Sequence, residues 1–289
     1  MKPAPFDYHR AYSIDESVEL LAELGDDAKI LAGGQSLAPM MNFRLARPSA
    51  LIDINPVRGM DYITRDGDEL VIGAMTRHRA IETTRSPDVL NGFGFYPRAA
   101  RWIGHYPIRA RGTVGGSIAH SDPTAELCLM AALNDADIVV KGPSGTRRIP
   151  HTRWFQGFMM NGAEPDEVVV ETRFKSPRTH GALTEYARRR GDFAIVAAAV
   201  AFDVNAGRMA NVGVVLGGVD STPLRLPDVE SSAEGAEPSD DMFEEIAAAA
   251  AQACDPPTDM HGGPEYRRHL VRSMVQRALH EARQHGDGQ

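Results

Sequence analysis

Two short segments carry residue types that can hold an anion. Ala32-Gly33-Gly34-Gln35-Ser36-Leu37 follows the apolar pair Ile30-Leu31, and Thr113-Val114-Gly115-Gly116-Ser117 follows Arg109-Ala110-Arg111-Gly112. Glycine reaches backbone angles closed to other residues and lets bare backbone approach a ligand. A helix starting near Ser36 adds unpaired N–H groups and the positive end of its dipole, which together fit a pyrophosphate. The Ser36 hydroxyl is a further donor at the same end. One such segment alone reads more simply as a tight strand-to-helix turn. Two of them, roughly 80 residues apart, can clamp a long diphosphate-containing ligand from both sides, each giving backbone donors. Neither contains Gly-x-Gly-x-x-Gly, and the chain has no Walker Gly-Lys-Ser/Thr, so ordinary NAD and ATP sites are disfavoured. Asp122 and Glu126 offer carboxylates that can accept from ribose or adenine, and Asp122 reads equally well as a cap beside Pro123.

Composition removes other chemistries. Acidic residues outnumber basic ones, 39 to 31, for a formal charge of −8, which argues against nucleic acid as a partner. The two cysteines, Cys128 and Cys254, are too few for an iron–sulfur cluster or a Cys-x-x-Cys zinc site. Their Ala-rich, apolar surroundings predict buried, inert thiols. The ten histidines form no ligand pattern, so no metal is assigned. The first ten residues lack the apolar core of a signal peptide. The longest apolar run, residues 193–202, is about half of what crosses a bilayer. No membrane span and a cytoplasmic location are expected.

Periodicity then places the elements. Residues 13–24 predict a helix capped by Ser13, 29–31 a strand, 36–45 a helix and 50–54 a second strand, which makes a parallel βαβ unit. Between residues 58 and 177, strands are expected at 69–72, 137–141 and 167–174, and helices at 80–85, 96–103 and 123–133, an α+β arrangement. Beyond a boundary near Pro177, residues 194–203 and 209–216 predict an antiparallel pair ahead of a Gly217-Gly218 turn. Residues 229–241 read as an exposed loop, and 241–253 as a helix with Asp241 and Glu244 in a capping box. A last helix starts at Pro264, with Leu270, Val271, Met274, Val275, Ala278 and Leu279 on one face.

In this order, the two glycine segments, the run Ile108-Arg109-Ala110-Arg111-Gly112 before the second, and Arg189-Arg190-Gly191-Asp192-Phe193-Ala194 resemble the FAD-binding medium subunit of molybdenum hydroxylases. That family includes carbon monoxide dehydrogenase medium subunits and the flavin part of xanthine dehydrogenase. The resemblance runs from Phe6-Asp7-Tyr8 to Tyr266-Arg267-Arg268-His269-Leu270. It implies an α+β fold with a two-part FAD-binding domain of the vanillyl-alcohol-oxidase (PCMH) type over residues 1–177. A small parallel βαβ subdomain (about 1–57) and a mixed α+β subdomain (58–177) form it. Residues 178–289 would be a C-terminal domain of the CO dehydrogenase flavoprotein type, an antiparallel sheet with helices.

The resemblance also implies site residues. Ala32, Gly33, Gly34, Gln35, Ser36 and Leu37, with Thr113, Val114, Gly115, Gly116 and Ser117, would hold the FAD pyrophosphate and its neighbouring groups. Glu126 would contact the adenosine ribose where relatives often have aspartate, and Val169 would lie near the cofactor. Phe193 takes the place of a tyrosine that lies on the isoalloxazine ring in the carbon monoxide branch; it reads equally as a core aromatic opening the next strand. Arg188-Arg189-Arg190 reads as a solvated face first, and as a group for reduced flavin or a partner second. His105, Tyr106 and His120 receive no role.

The implied activity is electron transfer by an oxidoreductase subunit, with no catalytic residue on this chain. Electrons would come from [2Fe–2S] clusters on a small subunit, through FAD, to an external acceptor: oxygen, a quinone or NAD+. An aldehyde, a purine or another N-heterocycle would be oxidised on a large molybdopterin subunit, in a dimer of heterotrimers. A carbon monoxide dehydrogenase medium subunit ranks lower, because that branch commonly has histidine at Gln35 and tyrosine at Phe193. A self-contained FAD oxidase is disfavoured by the short region after Pro177.

Overall fold

The computed structural model describes residues 2–286. Its first unit is a three-stranded parallel sheet in which Ala50–Asp53 lies between Asp7–Arg10 and Ala28–Leu31. The central strand is buried throughout. The helix Ile14–Leu24 covers the sheet, and Ser13 caps it by accepting from the Glu16 amide at 3.1 Å. Asp7–Arg10 was not expected as a strand: it is polar and mostly exposed, and parallel pairing rather than burial holds it. The helix after the first glycine segment covers only Leu37–Asn42, not 36–45. It ends where Arg44 turns left-handed, with φ of 60°.

The second unit is a five-stranded antiparallel sheet: Ile63–Asp66, Glu69–Gly73, Val168–Phe174, Asp137–Gly142 and Gly145–Pro150, in that spatial order. The three inner strands are those that hydrophobicity identified. The two edge strands escaped notice because alternating charged residues face solvent there. The helices of this unit are shorter than expected, with Tyr96–Ala99 in place of 96–103 and Glu126–Leu133 in place of 123–133.

The C-terminal sheet is antiparallel, ordered His180–Tyr186, Val196–Asn205, Arg208–Gly217, Leu224–Arg225. The third strand matches the expectation, the second starts two residues later than residue 194, and the first was missed. The two faces of this sheet differ. On one, Val196, Ala198, Val200, Phe202, Val214 and Leu216 pack against the helices Asp240–Ala253 and Pro264–Gln284. The last helix buries the six apolar residues named for it, the Leu, Val and Met side chains each worth about 1.5–3 kcal/mol when fully covered. The cap of the preceding helix is Ser239, which accepts from the Met242 amide at 3.2 Å; the Asp241–Glu244 box does not form. Residues 229–241 are not one exposed loop, since Pro227–Ala233 is a helix with Val229 and Ala233 buried.

The opposite face of the C-terminal sheet is built from small residues. Its rows are Gly181–Ala201–Gly213, Leu183–Ala199–Val215 and Glu185–Ala197–Gly217. This flat surface lets the helix Glu126–Leu133 of the second unit lie directly on it. A side chain at Gly213 would meet Leu133, and one at Gly217 would meet the Pro123 carbonyl oxygen at 2.9 Å and Leu129 at 3.0 Å. Among the described residues no helix is long and apolar enough to cross a membrane.

Gly217 has ordinary backbone angles, so its role is space alone. Gly217→Val is expected to destabilise the chain by about 1–3 kcal/mol through overpacking against backbone. A lower urea midpoint with an unchanged m-value checks this.

Candidate functional site

The two glycine segments touch. A Cβ on Gly33 would stand 2.5 Å from the Arg111 carbonyl oxygen and 2.8 Å from the Gly112 Cα, and one on Gly116 would lie 4.0 Å from the Ala32 Cβ. Gly34 supplies the turn itself, with φ of 70°. The amides of Gly33, Gly34, Gln35 and Ser36 donate to no acceptor among the described residues. Gln35 instead steadies the loop by donating from Nε2 to the Gly33 carbonyl at 3.0 Å. A run of free amides beside bare backbone is the concavity that anions occupy.

The second segment differs from the expected turn: it is the start of the helix Val114–His120, capped by Thr113. From Val114 onward its backbone donors are already taken. Val114 donates to the Thr76 carbonyl at 3.0 Å, Gly115 to the Ala74 carbonyl at 2.8 Å, and Gly116 to Thr113 Oγ1 at 3.1 Å. Its glycines answer to crowding, since a Cβ on Gly115 would stand 2.5 Å from that of Ala74. Free backbone donors therefore come from the first segment and from the Thr113 amide, and the rest of the second segment forms a wall against the first.

A polar network that sequence reasoning missed ties these segments together. Asn55 donates to the Ala32 carbonyl at 2.8 Å and to Asp53 at 2.6 Å, and Tyr8 donates to the other Asp53 oxygen. Arg77 donates to Asn55 Oδ1 at 2.8 Å and, with its other terminal nitrogen, to the Arg111 carbonyl. One guanidinium thus spans both segments. Its only trace in the sequence is Asn55-Pro56 after a strand, an ordinary turn signal. His78 lies beneath them, donating from Nε2 to the Thr113 carbonyl at 2.9 Å, while Nδ1 is buried with no partner.

The other expected residues fall around this junction. Val169 is buried at a bulge in Val168–Phe174. Ala74 links the neighbouring Val170 carbonyl to the Gly115 amide. Asp122 does not cap the helix Glu126–Leu133; its Oδ1 accepts from the Thr124 amide and hydroxyl at 2.8 and 2.7 Å. Glu126 meets no other side chain, and its carboxyl accepts from its own backbone N–H. Burial first, then the Asp122 charge, pushes its carboxyl up to about 7. Glu185, across the domain contact, is raised to about 8 by burial and then by Glu126. Phe193 is not a core residue: it is 75% exposed, on the loop before Val196–Asn205. It meets the junction indirectly, because Gly191 packs on the ring of His105, which precedes the helix Tyr106–Arg111. Arg188, Arg189 and Arg190 are exposed.

Cys128 and Cys254 are both buried, and burial raises their thiols, consistent with inert sulfur. Among the described residues, no three or more His, Cys, Asp or Glu side chains are grouped to hold a metal ion.

Comparison with known proteins gives a consistent result. The family described as the FAD binding domain in molybdopterin dehydrogenase matches residues 4–174, and the CO dehydrogenase flavoprotein C-terminal domain matches residues 181–282. The chain is 39% identical to the 6-hydroxypseudooxynicotine dehydrogenase complex subunit alpha of Paenarthrobacter nicotinovorans, over 98% of this chain and 97% of that one. Carbon monoxide dehydrogenase from Hydrogenophaga pseudoflava, solved in a form lacking the Mo-pyranopterin moiety of its cofactor, superposes with a TM-score of 0.92. It is 36% identical and covers 99% of this chain and 100% of its own. Quinoline 2-oxidoreductase from Pseudomonas putida 86 superposes with a TM-score of 0.91 at 33% identity, covering 98% and 99%.

His78 yields a pH prediction. Burial holds its ring down at about 4, with the Arg77 and Arg109 charges adding to the effect and the bond to Thr113 opposing it. The unfolded ring titrates near 6.5, so the unfolded state binds the extra proton between these values. Stability is then complete above about pH 6.5 and lost as pH falls toward 4, at up to about 1.4 kcal/mol per pH unit. Urea midpoints across this range should fall more steeply in the natural chain than in His78→Gln.

Proposed function

This chain belongs to the family of FAD-binding subunits of molybdopterin dehydrogenases, and from that premise we propose that it is the medium, electron-transfer subunit of a molybdenum-containing hydroxylase. FAD is its cofactor, and when bound it supplies a carrier that takes up electrons singly and releases them in pairs. The observation that carries the site assignment is the run of free amides from Gly33 to Ser36, faced by Gly112 and Gly116. In this reading Ala32, Gly33, Gly34, Gln35, Ser36 and Leu37 hold the pyrophosphate, with the Ser36 hydroxyl as a further donor. Thr113, Val114, Gly115, Gly116 and Ser117 form the opposing wall. Asp122 and Glu126 accept from the adenosine end, Val169 lines the approach, and exposed Phe193 is free to shield a flavin face.

Electrons would enter from [2Fe–2S] clusters on a small subunit, since two buried cysteines cannot hold clusters here. They would leave to an external acceptor, while a large molybdopterin subunit oxidises the substrate in a dimer of heterotrimers. The names of two relatives, which act on 6-hydroxypseudooxynicotine and quinoline, support an N-heterocyclic substrate. Gln35 and Phe193 favour this over carbon monoxide. Residues 1–177 serve as the FAD-binding domain and 178–289 as the C-terminal domain, a division supported by the change of sheet between Phe174 and His180. Reduced, buried cysteines suit a cytoplasmic location.

Two measurements test this. The isolated, flavin-loaded chain should not be reduced by N-heterocycles or aldehydes until the partner subunits are added; turnover by the chain alone overturns the subunit reading. Gly33→Val forces a branched side chain against the Arg111 carbonyl, so it should lower the urea midpoint and leave the protein that remains folded without visible flavin absorbance. Full retention of flavin would overturn the assignment of the glycine junction.

A further inference from the structure

Glu185 is 8% exposed and has no hydrogen bond or ion pair with any described residue. Burial of most of this side chain disfavours its ionised form, and no protein donor offsets that. Elsewhere this chain avoids the situation. Arg173 is met by Asp66, Glu69 and Glu171 together, and Glu230 accepts from Arg225 and the Val214 amide. An unpartnered acid at this depth is therefore an exception in the fold.

Strand register shows where it lies. Glu185 shares a row with Ala197 and Gly217 on the small-residue face of the C-terminal sheet. Gly213 sits under Leu133, while Gly217 sits under Leu129 and the Pro123 carbonyl. The helix Glu126–Leu133 thus crosses the sheet with its N-terminal end over the row of Glu185. Glu126 heads that helix, also without a side-chain partner, and it is the charged group felt most by Glu185. The nearest cation acting on Glu126 is Arg109, whose guanidinium is already committed to Glu82 and to the Ile103 and Gly104 carbonyls. Two carboxyls from different domains thus lie within electrostatic reach of each other, and Glu185 has no protein donor among the described residues.

We infer that Glu185 is a second cofactor-binding carboxyl, accepting with Glu126 from the vicinal hydroxyls of the FAD ribose. The inference rests on the FAD reading above. A vicinal diol brings two O–H donors about 3 Å apart to two carboxyl acceptors, and accepting from them favours the ionised form of each carboxyl. Because Glu185 comes from the C-terminal domain and Glu126 from the FAD-binding domain, the same hydroxyls would tie the two domains together.

The test uses the full chain stripped of flavin and titrated with FAD and with its 2′- and 3′-deoxyadenosine analogues, read by flavin fluorescence. The natural chain should prefer FAD over at least one deoxy analogue by about tenfold. Glu185→Ala should bind FAD about tenfold more weakly and lose most of that preference. Glu185→Gln, which keeps the shape and removes the buried charge, should melt no lower than the natural chain at pH 8, which separates binding from folding. Weaker FAD binding with the preference intact would mean a structural role and overturn the inference, as would a natural chain that does not distinguish the analogues. A natural chain that binds no FAD at all would overturn the FAD reading as well.

Discussion

The contact between Gly33 and the Arg111-Gly112 backbone is the constraint on which the rest of the structure depends. No side chain larger than hydrogen fits there, so the parallel sheet and the helical segment leading to Val114–His120 meet backbone to backbone. Such a contact brings little hydrophobic stabilisation of its own and needs polar ties to persist. Arg77 and Asn55 supply them, joining the Ala32 and Arg111 carbonyls through one guanidinium and one amide. With both carbonyls held, the amides of residues 33–36 have no protein acceptor to turn toward. The free donors are a product of the crowding and not only of local turn chemistry.

The same logic of small residues repeats at the domain contact. Ala and Gly rows on the C-terminal sheet let the helix Glu126–Leu133 approach closely, just as Gly115 lets Val114–His120 approach Ala74. Close approach excludes water, and water exclusion raises Glu126 and Glu185 toward neutral pH. Raised acids of this kind oppose folding: the unfolded carboxyls ionise near pH 4.5 while the folded ones hold their protons to about 7 and 8. Stability from this source is full below the lower value and is lost as pH rises through the upper ones. Under the proposed assignment, hydroxyl donors from the cofactor would offset that loss.

The sequence made the glycine segments, the central strands of each sheet and the apolar face of the last helix readable, because each depends on local spacing or on residues with one physical use. It hid whatever depends on distant partners. Asp7–Arg10 and Gly145–Pro150 are polar strands defined only by what they pair with. His180–Tyr186 was obscured by Gly181, Thr184 and Glu185, whose places make sense only once the elements packed on both faces of the sheet are known. Arg77 looks like any surface arginine until the Arg111 carbonyl is brought beside it. The Thr113 segment misled for a different reason. Its Gly-Gly pair suggested a turn, whereas Thr113 is a helix cap and the glycines are there for packing, a distinction that composition alone cannot make.

Placing a cofactor where three units meet has a thermodynamic consequence. FAD bound across residues 33–36, Thr113–Ser117 and the seam near Glu126 would touch the parallel sheet, the five-stranded sheet and the C-terminal domain at once. A ligand that binds only the assembled state stabilises that state in proportion to the logarithm of its concentration over its Kd. Neither the glycine junction nor the acidic seam is an efficient source of stability in itself, since one is bare backbone and the other is unpaired charge. Each becomes favourable only with donors or acceptors from outside the chain. Under the proposed assignment, the regions the protein leaves least satisfied are those where the cofactor would be held, which would make cofactor binding and domain arrangement two aspects of a single equilibrium.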